Sequence, residues 1–292
     1  MGVPRFEPLR RAVKTVPGAI ALYQRLVPPP EERITRWIQA GQALAREHGL
    51  GEMALAPEGG FFRSPWGAEF VYVPRWGAYG AETGELHEPR ELEFCARTVA
   101  QGGTVLDVGA NLGTFSLNLA VRRPDRSVHA VEPGASPHHW LGVNVRRNGL
   151  EGRVRVHRRA LADRPGTLEM TSTRYTDNHL VLGGGGAPPG EGPVERVDVV
   201  TLDDFAARED VGRVALLKAD VEGAELLALR GATGLLARHR PPLFLEVQQE
   251  HLERFGAGID TLESFLGEQG YRRATPPEFM SHNRLYLHRD AG

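Results

Sequence analysis

The feature that most constrains the fold is a regular alternation of short apolar runs with longer amphipathic stretches, which begins near residue 104. The apolar runs predict strands at 104–108, 127–131, 154–157, 197–201, 214–218, 243–247, 271–274 and 284–288. Helical periodicity between them predicts helices at 114–121, 137–148, 201–205, 224–239 and 261–269. This alternation is typical of a doubly wound α/β sheet of mostly parallel strands, which binds ligands at the carboxyl ends of its strands.

The N-terminal part of the chain follows a different pattern. A helix is predicted at 31–48, and apolar pairs among glycines and prolines at 53–76 predict short strands or a hairpin. We therefore expect an N-terminal extension over residues 1–85 and a second domain over residues 86–292. A Gly-rich loop at 171–196 interrupts the second domain, either as a lid over the strand ends or as a plain insertion.

The composition excludes several classes of protein. Of 292 residues, 41% are hydrophobic and 25% are charged, which is typical of a soluble globular chain. No apolar run reaches the roughly 18 residues of a transmembrane helix, and the N-terminus lacks the apolar core of a signal peptide. We therefore expect a cytoplasmic protein without a membrane span. A net charge of −2 gives no electrostatic footprint for nucleic acid, and the single cysteine, Cys95, excludes an internal disulfide.

The most informative segment reads VLDVGANLG and joins a strand to a helix. The strand ends at Asp107, Gly109 and Gly113 allow a tight backbone turn, and the helix begins at Thr114. The spacing is not G-x-G-x-x-G, because Asn111 stands where a pyrophosphate requires the second glycine. A nucleotide-like ligand that has no pyrophosphate and carries a cationic amino acid end fits this turn better.

A second acidic position supports the same ligand. Glu132 ends the next strand, 25 residues after Asp107, where a carboxylate can accept two hydrogen bonds from a ribose diol. Either motif alone is weak, but together they predict S-adenosylmethionine as the cofactor. The alternative is a structural turn followed by a Glu that caps a helix.

A cluster of charges follows the buried strand at 214–218. Lys218, Asp220, Glu222 and Glu225 lie within eight residues of one another, and Glu246 ends the following strand. Packed carboxylates beside a lysine can be tuned for proton transfer. The chain has only two lysines among 35 basic residues, so a lysine at this edge indicates that an ammonium is specifically required there.

With these motifs in view, the chain resembles the FkbM family of S-adenosylmethionine-dependent methyltransferases over about residues 86–250. The matching segments are 105–113, 131–133, 159–161, 201–204, 218–225, Gly231 and 245–247. The resemblance implies a class I methyltransferase (Rossmann-like) fold, with a seven-stranded sheet whose last strand is antiparallel. It usually implies O-methylation of a hydroxyl.

The resemblance also assigns roles to individual residues. The residues that it places at the cofactor are Glu88, Asp107, Gly109, Asn111, Gly113, Thr114, Glu132, Ala160 and Leu161. Within this set, Glu132 is expected at the ribose, Ala160 and Leu161 near the adenine, and Glu88 near the methionine end. The residues that it places at the catalytic edge are Lys218, Asp220, Glu222 and Glu246.

The predicted function is O-methylation of a hydroxyl on a sugar, glycan or natural product, with a carboxylate as general base. A hydroxyl acceptor needs either a base or a metal to draw off its proton. Mg²⁺ held by Asp220 and Glu246 is therefore a second mechanism, although it is not favoured. Methylation of a peptide or another small molecule also stays open. A nicotinamide-dependent sugar dehydrogenase is disfavoured, because both G-x-G-x-x-G and Tyr-x-x-x-Lys are absent.

Two histidines lie near the predicted catalytic edge in the sequence. His179 precedes the Gly-rich loop and His251 follows Glu246, so either could reach the catalytic edge, although solvated loop positions are favoured for both. We expect a small-molecule or glycan acceptor and no nucleic acid partner, and a homo-oligomer is possible.

Overall fold

The computed structural model describes residues 53–56, 59–71, 88–99, 102–172, 178–181, 193–276, 279–280 and 282–290. The helix predicted at 31–48 lies outside the described residues, as do parts of the predicted Gly-rich loop. Within the described part of the chain, no helix combines the length and the apolar character that crossing a membrane requires.

The described residues form fourteen strands and eight helices. The strands are β1 (Met53–Ala56), β2 (Gly59–Arg63), β3 (Glu69–Val71), β4 (Thr104–Val108), β5 (Ser127–Val131), β6 (Val154–His157), β7 (Ala160–Leu161), β8 (Gly166–Thr171), β9 (Leu180–Val181), β10 (Val194–Val200), β11 (Val214–Ala219), β12 (Leu243–Glu246), β13 (Tyr271–Arg273) and β14 (Asn283–His288). The helices are α1 (Pro89–Thr98), α2 (Thr114–Arg122), α3 (Ala135–Arg147), α4 (Leu202–Arg208), α5 (Glu225–Arg230), α6 (Thr233–His239), α7 (Gln249–Glu253) and α8 (Ile259–Glu268).

Seven strands form the central sheet, in the order β13-β14-β12-β11-β4-β5-β6. Strand β14 runs antiparallel to both of its neighbours, and the other adjacent pairs are parallel. The sheet confirms the predicted class I methyltransferase fold. The chain order reverses between β4 and β11, which is where an α/β sheet opens its ligand crevice.

Helices cover both faces of this sheet because its central strands are apolar on both sides. Every residue of β4 and β11 is buried. Val105 belongs to the hydrophobic cluster on one face, together with Leu117 of α2. Leu106, the next residue, belongs to the cluster on the other face, together with Leu226 of α5. A strand that is buried on both faces reads as a continuous apolar run, which explains why the sequence marks these two strands clearly.

One predicted strand belongs to a different sheet. The run at 197–201 was expected in the alternating series, but it forms part of β10 in a second, four-stranded sheet of order β7-β10-β8-β9. Strand β10 is antiparallel to β8, and exposed and buried residues alternate along its second half, as in a sheet with one solvated face. The predicted loop at 171–196 is therefore too long, since β9 and the first residues of β10 lie within it.

The helix predicted at 224–239 is interrupted at Gly231, which separates α5 from α6. The backbone of Gly231 approaches the chain after β7 so closely that an added Cβ would lie 2.1 Å from the carbonyl oxygen of Ala162. The amide of Asp203 also donates to the carbonyl of Gly231 at 2.9 Å. Through Gly231, the end of α5 therefore contacts both the chain after β7 of the second sheet and the start of α4.

The short strands predicted at 53–76 are present as the antiparallel sheet β1-β2-β3. This part of the chain contacts the central sheet's helices through Asn148 at the end of α3 and Asn118 in the middle of α2. Asn148 accepts from the amide of Glu69 at 2.8 Å, and the Ser64 hydroxyl donates to the Asn118 side-chain oxygen at 2.5 Å. The division into residues 1–85 and 86–292 stays a prediction.

Replacing Gly231 with alanine tests the interruption between α5 and α6. We expect Gly231→Ala to lower the free energy of unfolding by roughly 1–3 kcal/mol, because the new methyl group overlaps the Ala162 carbonyl. The matched control is Gly267→Ala in α8, where an added Cβ has nothing within 4 Å. Thermal denaturation of both variants measures the effect. Equal melting temperatures for the two variants would contradict this account of the interruption.

Candidate active site

A cavity of about 330 Å³ opens at the carboxyl ends of β4, β5, β11 and β12. It brings together eleven of the thirteen residues predicted from the sequence: Glu88, Gly109, Asn111, Thr114, Glu132, Ala160, Leu161, Lys218, Asp220, Glu222 and Glu246. The other two, Asp107 and Gly113, do not line it. Asp107 is completely buried behind the cavity, and Gly113 precedes α2 with a φ of 90°. Such cavity volumes are typical of small-molecule sites.

The turn after β4 is fixed against the end of β11. Gly109 has a φ of 78°, and a Cβ at this position would lie 1.8 Å from the carbonyl oxygen of Asp220. The amide of Asp220 donates to the carbonyl of Val108 at 3.0 Å. Asn111 follows with a φ of 50°, a left-handed conformation that Asn tolerates better than most residues. Glycine is therefore required at 109 so that the two strand ends can meet.

Glu132 is buried on the cavity wall at the end of β5. One of its carboxylate oxygens accepts from the amide of Asn111 at 2.9 Å, and the other accepts from the amide of Gly134 at 2.8 Å. Burial raises the pKa of Glu132 to about 7, although both hydrogen bonds oppose the shift. Because each carboxylate oxygen has a further lone pair, Glu132 can still accept from a ligand's hydroxyl groups.

A buried ammonium lies between two carboxylates behind the turn. The Lys218 Nζ atom lies 3.4 Å from Asp107 Oδ1 and 3.3 Å from Asp220 Oδ2, and the Ser116 hydroxyl donates to Asp107 Oδ2 at 2.6 Å. Burial disfavours the charged lysine, but the charges of Asp220, Asp107 and Glu88 outweigh it and raise the pKa of Lys218 above its ordinary value. A lysine that stays charged positions Asp220 and is a poor proton acceptor.

The turn after β11 carries Glu222 into the cavity. Glu222 has a φ of 55°, and Gly223 has a φ of 104° with its Cα so close to α7 that a Cβ would lie 2.1 Å from the His251 carbonyl oxygen. Glu225 stabilises the turn by accepting from the amides of Val221 at 3.0 Å and Gly223 at 3.3 Å. Glu225 is thus a structural residue, while Glu222 faces the cavity.

Glu246, at the end of β12, lines the cavity together with Asp220 and Glu222, and these three side chains form a carboxylate wall. Burial and the nearby charges of Asp220 and Glu222 raise the pKa of Glu246 to about 9. The Gln248 side-chain amide donates to Glu246 at 3.0 Å. His251, for which a solvated loop position was favoured, instead has its Nδ1 atom 3.1 Å from Glu222. The wall therefore places Glu246, a carboxylate of raised basicity, beside the side chains of Asp220 and Glu222.

The structure adds a residue that the sequence did not reveal. His282 lines the cavity, with Nε2 3.7 Å from Glu88 and 4.0 Å from Glu246. Glu88 has a φ of 46° and accepts from the Asn283 side-chain amide at 2.6 Å, so the start of α1 is tied to the start of β14. His282 lies outside every periodic segment, and no pattern in the sequence marks it. His179, the other histidine considered, also lines the cavity.

This topology and this cavity define a class I methyltransferase. The chain matches the Methyltransferase FkbM domain family over residues 107–273, which is more than half of its length. The chain therefore belongs to the FkbM methyltransferase family, and the resemblance inferred from its motifs is confirmed.

Individual relatives extend this comparison. The chain is 32% identical to 31-O-demethyl-FK506 methyltransferase FkbM of Streptomyces tacrolimicus, over 44% of this chain and 59% of that protein. It is 36% identical to ribosomal RNA small subunit methyltransferase G of Salinispora tropica, over 50% of this chain and 52% of that protein. The chain thus spans only part of the length of these relatives. A solved methyltransferase FkbM from Methylobacillus flagellatus has 18% identity and a TM-score of 0.44, covering 88% of this chain and 60% of that one.

The family implies S-adenosylmethionine, and the residues of the cavity fit this cofactor. The cofactor carries a cationic sulfonium and an ammonium group. The cavity is lined by five carboxylate side chains: Glu88, Glu132, Asp220, Glu222 and Glu246. Such an acidic lining favours a cationic ligand over the pyrophosphate of a dinucleotide.

The pKa of Glu132 makes cofactor affinity depend on pH. An ionised carboxylate accepts hydrogen bonds better than a protonated one, so affinity for S-adenosylhomocysteine should rise with pH through about 7. Glu132→Gln should weaken binding about ten- to hundredfold and remove most of the pH dependence. Calorimetric titrations between pH 6 and 8, roughly one unit below and above the pKa of Glu132, measure both the loss of affinity and the loss of pH dependence. Equal affinity in wild type and variant would show that another group binds the ribose.

The positioning role of Lys218 can be separated from a structural role. Lys218→Arg keeps the charge but replaces a compact ammonium with a bulkier planar fork. We expect this variant to fold, to bind S-adenosylhomocysteine nearly as tightly as wild type, and to lose most of its turnover number. A loss confined to kcat indicates an interaction made mainly in the transition state. A large drop in melting temperature with normal specific activity would show that the lysine is only structural.

Proposed function

We propose that the protein transfers a methyl group to a hydroxyl of a sugar, glycan or natural product, with a carboxylate as general base. One observation carries this proposal. Asp220, Glu222 and Glu246 face the same cavity from the ends of two adjacent parallel strands, beside the turn expected to hold the cofactor. A hydroxyl needs such a base, because its own pKa is far above neutral.

The carboxylates divide into different roles. Asp220 is held in place by the Lys218 ammonium, whose Nζ atom lies 3.3 Å from the Asp220 carboxylate. Burial and the neighbouring acidic side chains raise the pKa of Glu246 to about 9, which suits this carboxylate to accept a proton. Bound S-adenosylmethionine supplies an electrophilic methyl group. Glu246 accepts the hydroxyl proton of the acceptor, and Asp220 and Glu222 orient the acceptor at the wall.

The relatives support an oxygen acceptor but leave its identity open. The name of the Streptomyces tacrolimicus protein describes methylation of an oxygen on a demethylated natural product, FK506. Other relatives are ribosomal RNA methyltransferases, so RNA is a second candidate acceptor. A cavity wall of carboxylates disfavours phosphates near the reacting group, and we therefore rank RNA below a small hydroxyl compound. Cytoplasmic location and homo-oligomer formation stay predictions.

A metal-assisted reaction is the alternative mechanism. Ligand atoms of Glu222, Glu246 and His251 lie within 4.8 Å of one another. This set differs from the Asp220 and Glu246 pair expected from the sequence, and its imidazole suits Mg²⁺ less well than an oxygen ligand. Full methyl transfer in excess EDTA would exclude the metal-assisted version. Loss of activity that Mg²⁺ restores would favour it over direct base catalysis.

The base assignment predicts a pH profile. A carboxyl group whose pKa is raised is protonated at neutral pH, so kcat should increase as pH rises towards about 9 and Glu246 ionises. Glu246→Gln should lower kcat by about a hundredfold or more and remove this limb of the profile. S-adenosylhomocysteine release is measured with an acceptor found by screening sugars, macrolides and ribosomal RNA.

The matched control is Gln248→Glu, which changes the residue that hydrogen bonds to Glu246 and keeps the base. It should alter the position of the rising limb without abolishing turnover. If Glu246→Gln retains both the rate and the pH profile of the wild type, Glu246 is not the base. If only ribosomal RNA is methylated, the small-acceptor proposal is wrong.

A further inference from the structure

A second cluster of ligating side chains lies at the edge of the central sheet, and it is separate from the carboxylate wall. His129 of β5 and His157 of β6 project from the same side of two adjacent parallel strands, two register positions apart. The His129 Nδ1 and His157 Nε2 atoms are 3.1 Å apart. Glu209, the residue after α4, brings a carboxylate oxygen to 3.7 Å from the other nitrogen of His157.

The packing holds both imidazole rings in place. The rings are parallel within 5°, and the Phe205 ring of α4 packs edge-on against both, with centroids 5.9 Å and 4.9 Å away. His129 is only 4% exposed, while His157 borders a cavity of about 260 Å³ that also contacts Glu209. Burial lowers the pKa of both rings, so each is neutral at pH 7, and neutral imidazole is the form that binds metals.

We propose that His129, His157 and Glu209 bind one divalent transition-metal ion of the zinc class. One potential ligand atom from each residue lies within 4.8 Å of the others. Two nitrogen ligands of a tetrahedral zinc ion, each at about 2.0–2.1 Å, are about 3.3 Å apart, and the two facing nitrogens already lie 3.1 Å apart. Imidazole with a carboxylate is a donor set that suits zinc and its neighbours better than magnesium.

Binding changes the proton arrangement of the pair. The two rings now share an N–H···N hydrogen bond, whereas both facing nitrogens must present lone pairs to a metal. The shared proton therefore moves to the far nitrogen of its own ring, and no net charge is lost. Glu209 is about one-third exposed on a long side chain, so it can rotate to fill a third position. The adjacent cavity leaves the fourth position open to water.

The charges around the cluster do not all favour a cation. Arg158, Arg159 and Arg208 line the cavity, and Arg155 acts on both rings. Two of these guanidinium groups are engaged elsewhere: Arg158 pairs with Glu195 at 2.8 Å and Arg159 with Asp198 at 3.4 Å. Direct coordination is much stronger than repulsion between a bound ion and exposed, screened guanidinium groups.

The ion would join the edge strand β6 to helix α4. The chain passes directly from His157 through Arg158 and Arg159 to Ala160 and Leu161, and the last three of these line the active-site cavity. A metal at this edge would fix the segment that forms one wall of that cavity. The inferred role is structural, and it does not depend on which acceptor the enzyme methylates.

The test uses the full chain without a histidine tag, stripped with a chelator. We expect titration to show one Zn²⁺ per chain at this cluster and a concentration-dependent rise in melting temperature. Co²⁺ should give the visible absorption bands of a nitrogen-containing, low-coordinate site, and Zn²⁺ should displace them. His157→Gln and the surface substitution Glu209→Gln should each weaken binding by at least about tenfold. The matched control His139→Gln, at an exposed histidine of α3, should bind like wild type.

Two outcomes would overturn the proposal. The first is the absence of Zn²⁺ binding by the wild-type chain, which would show that the histidines form only a hydrogen-bonded pair. The second is binding that survives in both His157→Gln and Glu209→Gln but is lost in Glu222→Gln. That result would place the ion at the carboxylate wall. Because metal binding is measured without any methyl acceptor, failure here leaves the proposed methyl transfer untouched.

Discussion

The active site depends on one buried ion cluster. The Lys218 ammonium lies between Asp107 at the end of β4 and Asp220 just beyond β11; Lys218 and Asp107 are buried, whereas Asp220 is partly exposed to the cavity. Without the lysine, two carboxylates would face each other in a place that penalises isolated charge. With it, Asp107 is held against Ser116 and Lys218 behind the cavity, and Asp220 lines the cavity itself. Lys218 thus links the ends of the two central strands, β4 and β11.

Two close backbone contacts give this cluster its geometry. Gly109 approaches the carbonyl of Asp220, and Gly223 approaches the carbonyl of His251, each at a distance that a Cβ would not permit. Between them the chain places Asp220 and Glu222 on the same wall as Glu246. The raised pKa of Glu246 follows from that arrangement, because three acidic side chains share one buried edge. The basicity proposed for catalysis is therefore a product of the fold and not of Glu246 alone.

The sequence predicted the fold well where strands are buried on both faces, because such strands appear in the sequence as continuous apolar runs. Strands β4 and β11 are buried along their whole length, and β5 is buried after its first residue. Acidic residues follow β5 and β11 directly, so Glu132 and Asp220 could be placed in one cavity. The second sheet was missed because β8 and β10 alternate polar and apolar residues, and their pairing depends on contacts distant in the chain. The break at Gly231 was missed because it reflects a close approach to Ala162 and no local helix signal.

Side-chain positions were harder to predict than strand ends. Asp107 was expected at the cofactor, yet its side chain is buried behind the cavity. From β4 it extends towards Lys218, whose Nζ atom lies 3.4 Å away. His282 joins the wall from a segment without periodicity, and only the folded sheet brings it to Glu246.

The proposed reaction requires one cavity to hold the cofactor against the wall formed by Asp220, Glu222 and Glu246. A crystal structure of the complex with S-adenosylhomocysteine tests it most directly. We expect the ribose hydroxyls within hydrogen-bonding distance of Glu132 and the sulfur facing the wall formed by Asp220, Glu222 and Glu246. A ligand bound elsewhere, or one whose sulfur faces away from that wall, would contradict the account.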